Sequence, residues 1–436
     1  MNVLSIGTDD SESGAGRAAY QLHRGLREGG IHSQMLVQNK RTDDPDVLLQ
    51  GAKFWRKLAQ FSPNLTALPV GWYRDRTGEI FSPQWFPGRI AAQVRGLDPD
   101  LINLHWLGWG FVRLETLPQF QKPLVWTFHD MWAFTGGCHY TGECDRYKQR
   151  CGDCPQLNSH REQDLSRWVW KRKAKAWKNL DLTVVTPSRW LARCASESSL
   201  LGDRRVEVIP NGLDLETYKP FDRTIARQLL KLPSDKLLVL FGAVSATSDR
   251  RKGFHLLQSA LKHLSELGWR DRLELVVFGA SEPIDPPDLG FRCHYLGRLR
   301  DELSISLVYA AADLFAAPSI QDNLPNTIME ALSCGTPCIG FEIGGIGEMI
   351  EHQGNGYLAT PFETENFARG IAWILEDPER WQKLRDRARE KAQAEFSRDL
   401  QARRYLDLFD ELLDRQSERC SKGAASRTTQ APPLQQ

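Results

Sequence analysis

Two acidic residues, Asp322 and Glu330, lie eight positions apart on either side of a predicted helix start. Pro325 suits the first position of that helix, because its missing N–H would be unpaired there in any case. Asn326 and Thr327 would then present backbone N–H groups at a helix N-terminus, which favours binding of phosphate or another anion. Carboxylates bind hydroxyl groups and helix-end amides bind phosphate. The segment therefore predicts a pocket for a molecule that carries both, such as a nucleotide sugar.

A second anion site is predicted just before the helix that begins at Phe254. Three cations, Arg250, Arg251 and Lys252, are followed there by the flexible Gly253. Their position after the first strand of the second half favours phosphate binding, and a solvated run of charge is the alternative. We expect Lys252 to be the principal contact and Arg251 the second.

A third loop of this kind follows the predicted strand Pro337–Phe341. The run Gly344-Gly345-Ile346 would allow backbone N–H groups to close on a ligand, and an ordinary strand-to-helix turn is the alternative. Three phosphate-type loops at the strand ends of one domain favour the ligand-binding interpretation.

Glycines also follow the first strand of the chain. Gly14 and Gly16 open a helix in a pattern that matches the dinucleotide-binding fingerprint. The loop from Gly7 to Ser13 is too long for that motif, and the second strand ends at Gln38–Lys40 without the acidic residue that binds a ribose. The pattern therefore indicates either a packing turn or a substrate-binding loop, in which Arg17 would face the ligand.

A histidine, His129, ends the predicted strand Leu124–Phe128 and is followed by Asp130. In a parallel sheet this position lies at the ligand-binding edge, so the histidine has either a functional or a structural role.

A Gly-rich loop contains four cysteines within a stretch of 17 residues: Cys138, Cys144, Cys151 and Cys154. Only Cys151 and Cys154 have the close spacing that is typical of metal ligands. The four thiols could hold a structural Zn²⁺, and His139 could replace one sulfur. Free buried thiols or a disulfide formed on oxidation are the alternatives.

Aromatic and basic residues interleave on one predicted helix. Trp168, Trp170 and Trp177 alternate there with six cations, and such a helix suits peripheral contact with an anionic membrane surface. Packing of the tryptophans on the sheet, with the cations in solvent, is the alternative. The cations are Arg167, Lys171, Arg172, Lys173, Lys175 and Lys178.

Short apolar runs separated by helical patterns predict the strands that must position these residues. Near-continuous apolar strands of this kind indicate parallel sheets that are covered on both faces. Two such series, which meet near 210–214, predict two doubly wound domains whose ligands bind at the carboxyl ends of the strands. The first series is Val3–Ile6, Gln34–Val37, Leu101–Leu104, Leu124–Phe128, Leu182–Val185 and Val206–Ile209. The second is Leu237–Phe241, Leu273–Phe278, Arg292–Tyr295, Asp313–Ala316 and Pro337–Phe341.

We therefore predict a first domain over 1–213 and a second over 214–376. A charged helical segment, 377–415, and a disordered tail, 416–436, would follow.

Bulk composition narrows the class of protein. The 436 residues carry a formal charge of +1, from 56 basic and 55 acidic residues, so no attraction to nucleic acid is indicated. The chain lacks an apolar run long enough to span a membrane and has no secretion-signal pattern, which predicts a cytoplasmic enzyme.

The order of these motifs resembles glycosyltransferase family 4, whose members have the GT-B fold. The similarity covers roughly residues 1–415, and the stretch His129–Tyr140 is similar to members that build bacterial exopolysaccharide, of the colanic-acid type. The motifs that carry the resemblance are Gly14-Ala15-Gly16, His129-Asp130, Pro210–Asp214, Arg251-Lys252-Gly253, Asp322 with Glu330, and Gly344-Gly345-Ile346.

The resemblance implies two Rossmann-like domains facing a central cleft, with a C-terminal helix that crosses back to the first. It implies retaining transfer of a sugar from a nucleoside-diphosphate sugar to a saccharide or polyprenyl-linked acceptor, without a catalytic metal. It also implies a role in cell-surface polysaccharide synthesis, with the enzyme in the cytoplasm or peripheral at the inner face of the plasma membrane. Asp322 would contact the donor sugar and Glu330 the nucleotide ribose, with Lys252 on the diphosphate and His129 on the acceptor side.

The sequence departs from the family pattern in two places. The family's Gly-Arg after the first strand of the donor domain is Gly242-Ala243 here, so the second diphosphate cation would be Arg250 or Arg251. The family's first glutamate is the shorter Asp322. A sugar-nucleotide epimerase of the same fold and a catalytically silent binding protein are the alternative functions.

Overall fold

The computed structural model describes residues 1–51, 63–88, 90–242, 249–283 and 288–428, with the backbone alone for 419–428. The chain forms two compact units. The first contains Met1–Val185, Ala195–Ile209 and the segment that starts at Gln401. The second contains Thr186–Cys194 and Pro210–Leu400.

Each unit is built on one twisted sheet. The strands are β1 (Asn2–Asp9), β2 (His32–Asn39), β3 (Val47–Leu49), β4 (Leu101–Leu104), β5 (Leu124–Thr127), β6 (Leu182–Thr186), β7 (Arg205–Val208), β8 (Leu237–Gly242), β9 (Leu273–Phe278), β10 (Cys293–Tyr295), β11 (Leu314–Ala317), β12 (Cys338–Phe341) and β13 (Gly356–Ala359). The main helices are α1 (Gly14–Glu28), α2 (Ile90–Leu97), α3 (Leu165–Trp177), α4 (Arg189–Ser196), α5 (Arg223–Leu230), α6 (Phe254–Glu266), α7 (Glu302–Ala311), α8 (Asn326–Ser333), α9 (Ile346–Met349), α10 (Thr364–Leu375), α11 (Pro378–Glu395) and α12 (Arg398–Thr428).

In each sheet, the order in which the chain adds neighbouring strands reverses at one point. The first sheet runs β3-β2-β1-β4-β5-β6-β7 and the second runs β10-β9-β8-β11-β12-β13. The pairs from β3 through β6, and all pairs of the second sheet, are parallel. The order reverses between β1 and β4 and between β8 and β11, and such reversals are where open parallel sheets bind ligands. The predicted doubly wound α/β class is confirmed.

Alternate residues of the second sheet pack on opposite faces. Leu238 and Leu240 of β8 join one apolar cluster, whereas Val239 and Phe241 join the other. Helix α8 contributes to the first cluster and helices α6 and α10 contribute to the second. The sheet is therefore covered on both sides, as its unbroken apolar strands require.

Two short strands were not predicted from the sequence. β3 and β13 are three and four residues long and include glycine or partly exposed positions. Segments of this length give too few residues for an apolar pattern to emerge. The other predicted strands all occur, with ends shifted by a few residues at most.

The helical segment predicted over 377–415 is divided in the structure. Helix α11 packs on the second unit through Leu384, Ala388 and Ala392, and the chain joins the first unit only from Gln401. The break follows α11 at Phe396, where the carbonyl accepts a hydrogen bond from the N–H of Leu213 at 2.8 Å.

Helix α12 carries the chain back onto the first unit, where Tyr405, Leu408 and Phe409 are buried with residues of β1, β4 and β5. The hydroxyl groups of Tyr405 and Thr127 are 2.8 Å apart. Arg205 pairs with Glu411 at 2.8 Å.

The tail predicted to be disordered from 416 is helical as far as Thr428. The last turns extend a helix that packing already holds, and the Ser417 hydroxyl donates to the Leu413 carbonyl at 3.0 Å. Residues 429–436 lie outside the described part of the chain.

The predicted first domain, 1–213, also differs from the structure, because 186–194 belongs to the second unit. Glu348 explains this placement. Its carboxylate accepts hydrogen bonds from the N–H groups of Arg189 and Trp190, each at 2.8 Å, at the start of α4. A carboxylate is stabilised at a helix N-terminus, so it anchors this segment on the second unit.

None of the helices in the described part of the chain combines the length and apolar character that a bilayer span requires.

Candidate active site

The three predicted cations lie in a single 3-10 turn, Arg250–Lys252, in the connection from β8 to α6. Asp249 caps the turn by accepting a hydrogen bond from the N–H of Arg251 at 3.0 Å. Gly253 ends it with a φ of 72°, and a Cβ there would lie 1.8 Å from the carbonyl oxygen of Pro318. Only glycine permits this approach, so the turn is held against the loop that follows β11.

Asp322 lies in the loop that follows β11 and forms ion pairs with two of these cations, Lys252 and Arg251. Its Oδ2 atom lies 2.6 Å from Lys252 Nζ and 3.3 Å from Arg251 Nη1. Burial by itself would raise the pKa of Asp322, but the two cations outweigh it and hold the pKa of Asp322 at about 2. Arg250 is exposed. The structure thus places Arg251 beside Lys252, in the position that the sequence left open between the two arginines.

The predicted glycine loop after β12 packs on the Asp322 segment. A Cβ on Gly344 would lie 2.0 Å from the carbonyl oxygen of Asp322, and one on Gly345 would lie 1.7 Å from that of Asn323. The N–H of Gly345 donates to the Asp322 carbonyl at 3.1 Å. Both glycines are required for this contact, and Ile346 is buried in the core beside them.

Helix α8 begins one residue later than predicted. Pro325 has an extended ψ of 119° and precedes the helix, so Asn326 and Thr327 are its first two residues. The Pro325 carbonyl accepts from the N–H of Ile328 at 3.1 Å, which starts the helical hydrogen bonding. Asn326 also contacts Asn211, whose amide nitrogen lies 3.4 Å from its Oδ1.

Glu330, on the same helix, makes a different contact from Asp322. Its side chain is buried, and its Oε2 accepts a hydrogen bond from the hydroxyl of Tyr309 at 2.9 Å. Tyr309 belongs to α7 and is itself fully buried. The sequence did not predict this partner.

Ser188 is a second residue that sequence reasoning missed. Its hydroxyl lies 2.5 Å from the Oδ1 atom of Asn323, the residue after Asp322. The N–H of Asn323 donates to Asp322 Oδ1 at 3.1 Å. The acidic side chain is thus fixed by its neighbours as well as by the cations.

In the first unit, His129 contacts a second histidine. Its Nε2 atom lies 3.1 Å from Nδ1 of His105, which follows β4 directly. Burial lowers the pKa of His129 to about 4 and that of His105 well below its ordinary value, so both rings are neutral at pH 7. One ring therefore donates the hydrogen bond to the other. The sequence signal for His105 was its position at the carboxyl end of a buried strand.

Asp130 organises the residues beside this pair. Its Oδ2 atom accepts from Trp106 Nε1 at 2.8 Å and lies 2.7 Å from His139 Nδ1. The N–H of Trp132 donates to its Oδ1 atom at 2.8 Å. Burial would raise the pKa of Asp130, but His139 and these hydrogen bonds hold it below its ordinary value.

The predicted acceptor-side glycines lie in the first turn of α1. Asp9 accepts a hydrogen bond from the N–H of Ser13 at 2.9 Å, and the Ser13 hydroxyl caps the helix by accepting from Gly16 at 2.9 Å. A Cβ on Gly16 would lie 2.0 Å from Asp9 Oδ1. Gly14 is exposed and Arg17 is partly buried in the first turn.

Helix α3 is largely a packing element. Lys173 and Trp177 are buried, and Arg172 pairs with Glu115 at 2.8 Å, whereas Trp168 is 44% exposed. The packing interpretation therefore accounts for much of its aromatic and basic character. The four cysteines predicted as ligands lie in the loop before this helix, as free thiols around one cavity.

The family models match the chain in two blocks. Residues 13–217 match Glycosyltransferase Family 4, and residues 222–394 match Glycosyl transferases group 1. With the two parallel sheets and the cation–carboxylate cluster of the second unit, these matches define the class. The chain belongs to the family 4 glycosyltransferases with the GT-B fold.

One relative matches most of the chain. The putative colanic acid biosynthesis glycosyl transferase WcaC of Escherichia coli is 25% identical over 373 residues, which are 81% of this chain and 86% of that protein. The predicted resemblance to colanic-acid-type enzymes is confirmed.

Two solved structures share the fold. Sucrose-phosphate synthase from Thermosynechococcus elongatus has a TM-score of 0.67 at 21% identity, covering 95% of this chain and 100% of that one. Anabaena HepE, solved in complex with UDP-glucose, has a TM-score of 0.60 at 18% identity, covering 94% and 100%.

Proposed function

We propose that the chain transfers a sugar from a nucleoside-diphosphate sugar to a glycan or lipid-linked acceptor, with retention of the anomeric configuration, in the synthesis of cell-surface polysaccharide. The observation that carries the proposal is the cluster of Lys252, Arg251 and Asp322 at the reversal point of the second sheet. A role in polysaccharide synthesis is supported by the relative WcaC, which is named for colanic acid biosynthesis. A nucleoside-diphosphate sugar as donor is supported by HepE, which was solved with UDP-glucose.

The cluster suits a diphosphate because it holds two positive charges next to one carboxylate. In the structure this carboxylate forms ion pairs with both Lys252 and Arg251, which leaves a net positive charge on the three groups. A bound diphosphate would take over both cations and release Asp322 toward the sugar. The cations would then stabilise the charge that develops on the leaving group, in a site whose dipoles are already oriented.

The reaction breaks the bond between the anomeric carbon and the leaving phosphate oxygen and forms a bond from that carbon to the acceptor oxygen. We assign the proton of the acceptor hydroxyl to the leaving phosphate oxygen. The acceptor oxygen would then approach the anomeric carbon from the face that the phosphate leaves, which would retain the configuration. His129, held neutral beside His105, is proposed to orient the acceptor.

Product stereochemistry tests the retaining assignment. UDP-, GDP- and ADP-sugars are first screened by thermal shift, since a bound donor raises the unfolding midpoint. The best donor is then incubated with a panel of glycoside and polyprenyl-phosphate acceptors, and the product is analysed by NMR. We expect the donor's anomeric configuration in the product, and an inverted product would refute retention. Conversion of the donor without acceptor would instead indicate an epimerase.

Substitution of Tyr309 tests the role of Glu330 in binding the donor. Tyr309→Phe keeps the buried ring but removes the hydroxyl that donates to Glu330. A hydrogen bond to a buried carboxylate contributes about 1.5–3 kcal/mol, so we expect KM for the donor to rise about 10-fold or more while kcat changes less.

Steady-state kinetics with the donor as varied substrate provides this measurement. Tyr357→Phe is the matched control, because that hydroxyl lies in the same unit and contacts Asn366 at 3.4 Å. Equal KM values for the Tyr309 variant and the wild type would show that the Tyr309 hydroxyl does not support donor binding through Glu330.

A further inference from the structure

The loop between β5 and α3 contains a cavity lined by all four of its cysteines, Cys138, Cys144, Cys151 and Cys154. Three of these side chains are buried, Cys144 is partly buried, and all four are free thiols. Cys138 lies within electrostatic range of the other three. The fold therefore gathers thiols that are spread over 17 residues around one space.

The same loop has little regular structure to hold it. Its secondary structure consists of 3-10 turns of three residues each, at Trp132–Phe134, Arg146–Lys148 and Pro155–Leu157. The apolar cluster beside it is small, and Cys138 and Cys154 are themselves members. A long segment with so little regular structure is uncommon in a compact domain and usually has a function of its own.

Glycine brings one thiol especially close to the backbone. A Cβ on Gly136 would lie 2.6 Å from Cys151 Cβ and 2.5 Å from the carbonyl oxygen of Ser166. The N–H of Gly136 donates to Cys151 Sγ at 3.1 Å. Backbone N–H groups directed at a cysteine sulfur stabilise the thiolate, which is the form that binds metal.

A buried cation beside the cavity is the second observation. Lys173 is fully buried, and its ammonium donates to the carbonyl oxygens of Trp132 and Thr135. In the described part of the chain no carboxylate lies within ion-pair distance of it. The groups whose negative charge would act on it are Cys151 and Cys138, when ionised, and Asp130, which lies beyond ion-pair distance. A buried ammonium is unfavourable without such compensation.

We propose that Cys138, Cys144, Cys151 and Cys154 bind a structural Zn²⁺. Four thiolates around Zn²⁺ carry a net charge of −2, which would compensate Lys173 and the nearby Arg167. The guanidinium of Arg167 donates to the carbonyl oxygen of Cys151, so it contacts the same residue.

Four sulfurs satisfy the coordination that structural zinc prefers. His139 does not serve as a ligand, because its two ring nitrogens contact Asp130 and Ser82 at 2.7 and 2.8 Å. Among the described residues no group of three potential ligands is already arranged around a common point. Binding therefore requires the sulfurs to move closer together, until Zn–S bonds of about 2.3 Å can form.

Metal analysis of the full-length protein tests the proposal. The chain is produced in zinc-supplemented medium, freed of loose metal and analysed by mass spectrometry for zinc, iron and nickel. We expect about one zinc per chain in the wild type and in Cys293→Ser, and below about 0.2 in Cys151→Ser. Cys293 is a matched control because it is a partly buried thiol of the second unit.

A second measurement applies even where Cys151→Ser does not fold. Wild-type protein is titrated with a mercurial reagent in the presence of a zinc indicator, and zinc should be released as the loop thiols react. Removal of zinc should lower the unfolding midpoint by about 5 °C or more. Wild type without zinc, a Cys151–Cys154 disulfide in the native protein, or iron in place of zinc would each overturn the proposal.

Discussion

Lys252→Ala should lower kcat/KM for sugar transfer by about 10²–10³-fold, the range found when one preorganised donor to a developing negative charge is removed. Lys252 is the closer of the two cations to Asp322, at 2.6 Å against 3.3 Å for Arg251. It therefore supplies the larger share of the charge that a departing diphosphate would meet.

The fold should survive this change because Arg251 remains beside Asp322. Loss of one partner from a largely buried pair should lower the free energy of unfolding by about 3 kcal/mol. Circular dichroism and a urea melt would verify that the variant is folded under the assay conditions.

A second lysine of the same unit provides the control. Lys391 is also largely buried and pairs with Glu351 and Glu395, each at 3.0 Å. Lys391→Ala removes a comparable charge from outside the cluster and should keep near-wild-type kcat/KM. Near-wild-type activity of Lys252→Ala itself would show that Lys252 is not part of the reaction site.

The cation–carboxylate cluster was predictable from the sequence for a general reason. The carboxyl ends of parallel strands meet at one edge, so residues that follow β8 and β11 must come together wherever these strands are adjacent. The apolar runs identified both strands, and Lys252 and Asp322 follow them. What remained open was whether Arg250 or Arg251 joins the pair, since that depends on how one turn is directed.

Other contacts had no sequence signal. Tyr309 lies inside a buried helix, where a tyrosine is usually part of the core, and only three-dimensional packing directs its hydroxyl to Glu330. Ser188 comes from the first series of elements along the chain, and its contact with Asn323 depends on where the chain crosses between units.

The boundaries of the two units also could not be predicted from the sequence. Residues 186–194 join the second unit because the carboxylate of Glu348 binds the amides at the start of α4. Helical periodicity over 377–415 showed that the segment is helical but not which unit each part packs on. That choice depends on long-range contacts, such as those of Leu384 and Tyr405.

Asp322→Asn should separate nucleotide binding from turnover. In the unliganded chain the carboxylate occupies the cations that a diphosphate needs. Replacing it with a neutral amide weakens this competition, so the affinity for the nucleoside diphosphate should stay the same or increase. Transfer should nevertheless fall about 10²-fold or more, because the charged group proposed to contact the sugar is lost.

The same variant has a defined effect on stability. The pKa of Asp322 in the folded chain, about 2, lies below its ordinary value of 3.8. The ionised carboxylate therefore stabilises the fold above pH 3.8, and this contribution is lost as the pH falls toward 2. At pH 7, Asp322→Asn should lower the free energy of unfolding by about 2 kcal/mol, and the difference from wild type should disappear near pH 2.

Isothermal titration with the nucleoside diphosphate of the best donor, together with kcat for transfer, makes the separation measurable. Asp249→Asn is the matched control, because Asp249 lies 3.3 Å from Arg251 but makes no ion pair with Lys252. It removes a carboxylate from one of the same two cations and should retain most of the turnover. A parallel loss of nucleotide affinity and kcat in Asp322→Asn would show that Asp322 only supports the cation pocket, because a carboxylate that acts on the sugar would affect turnover alone.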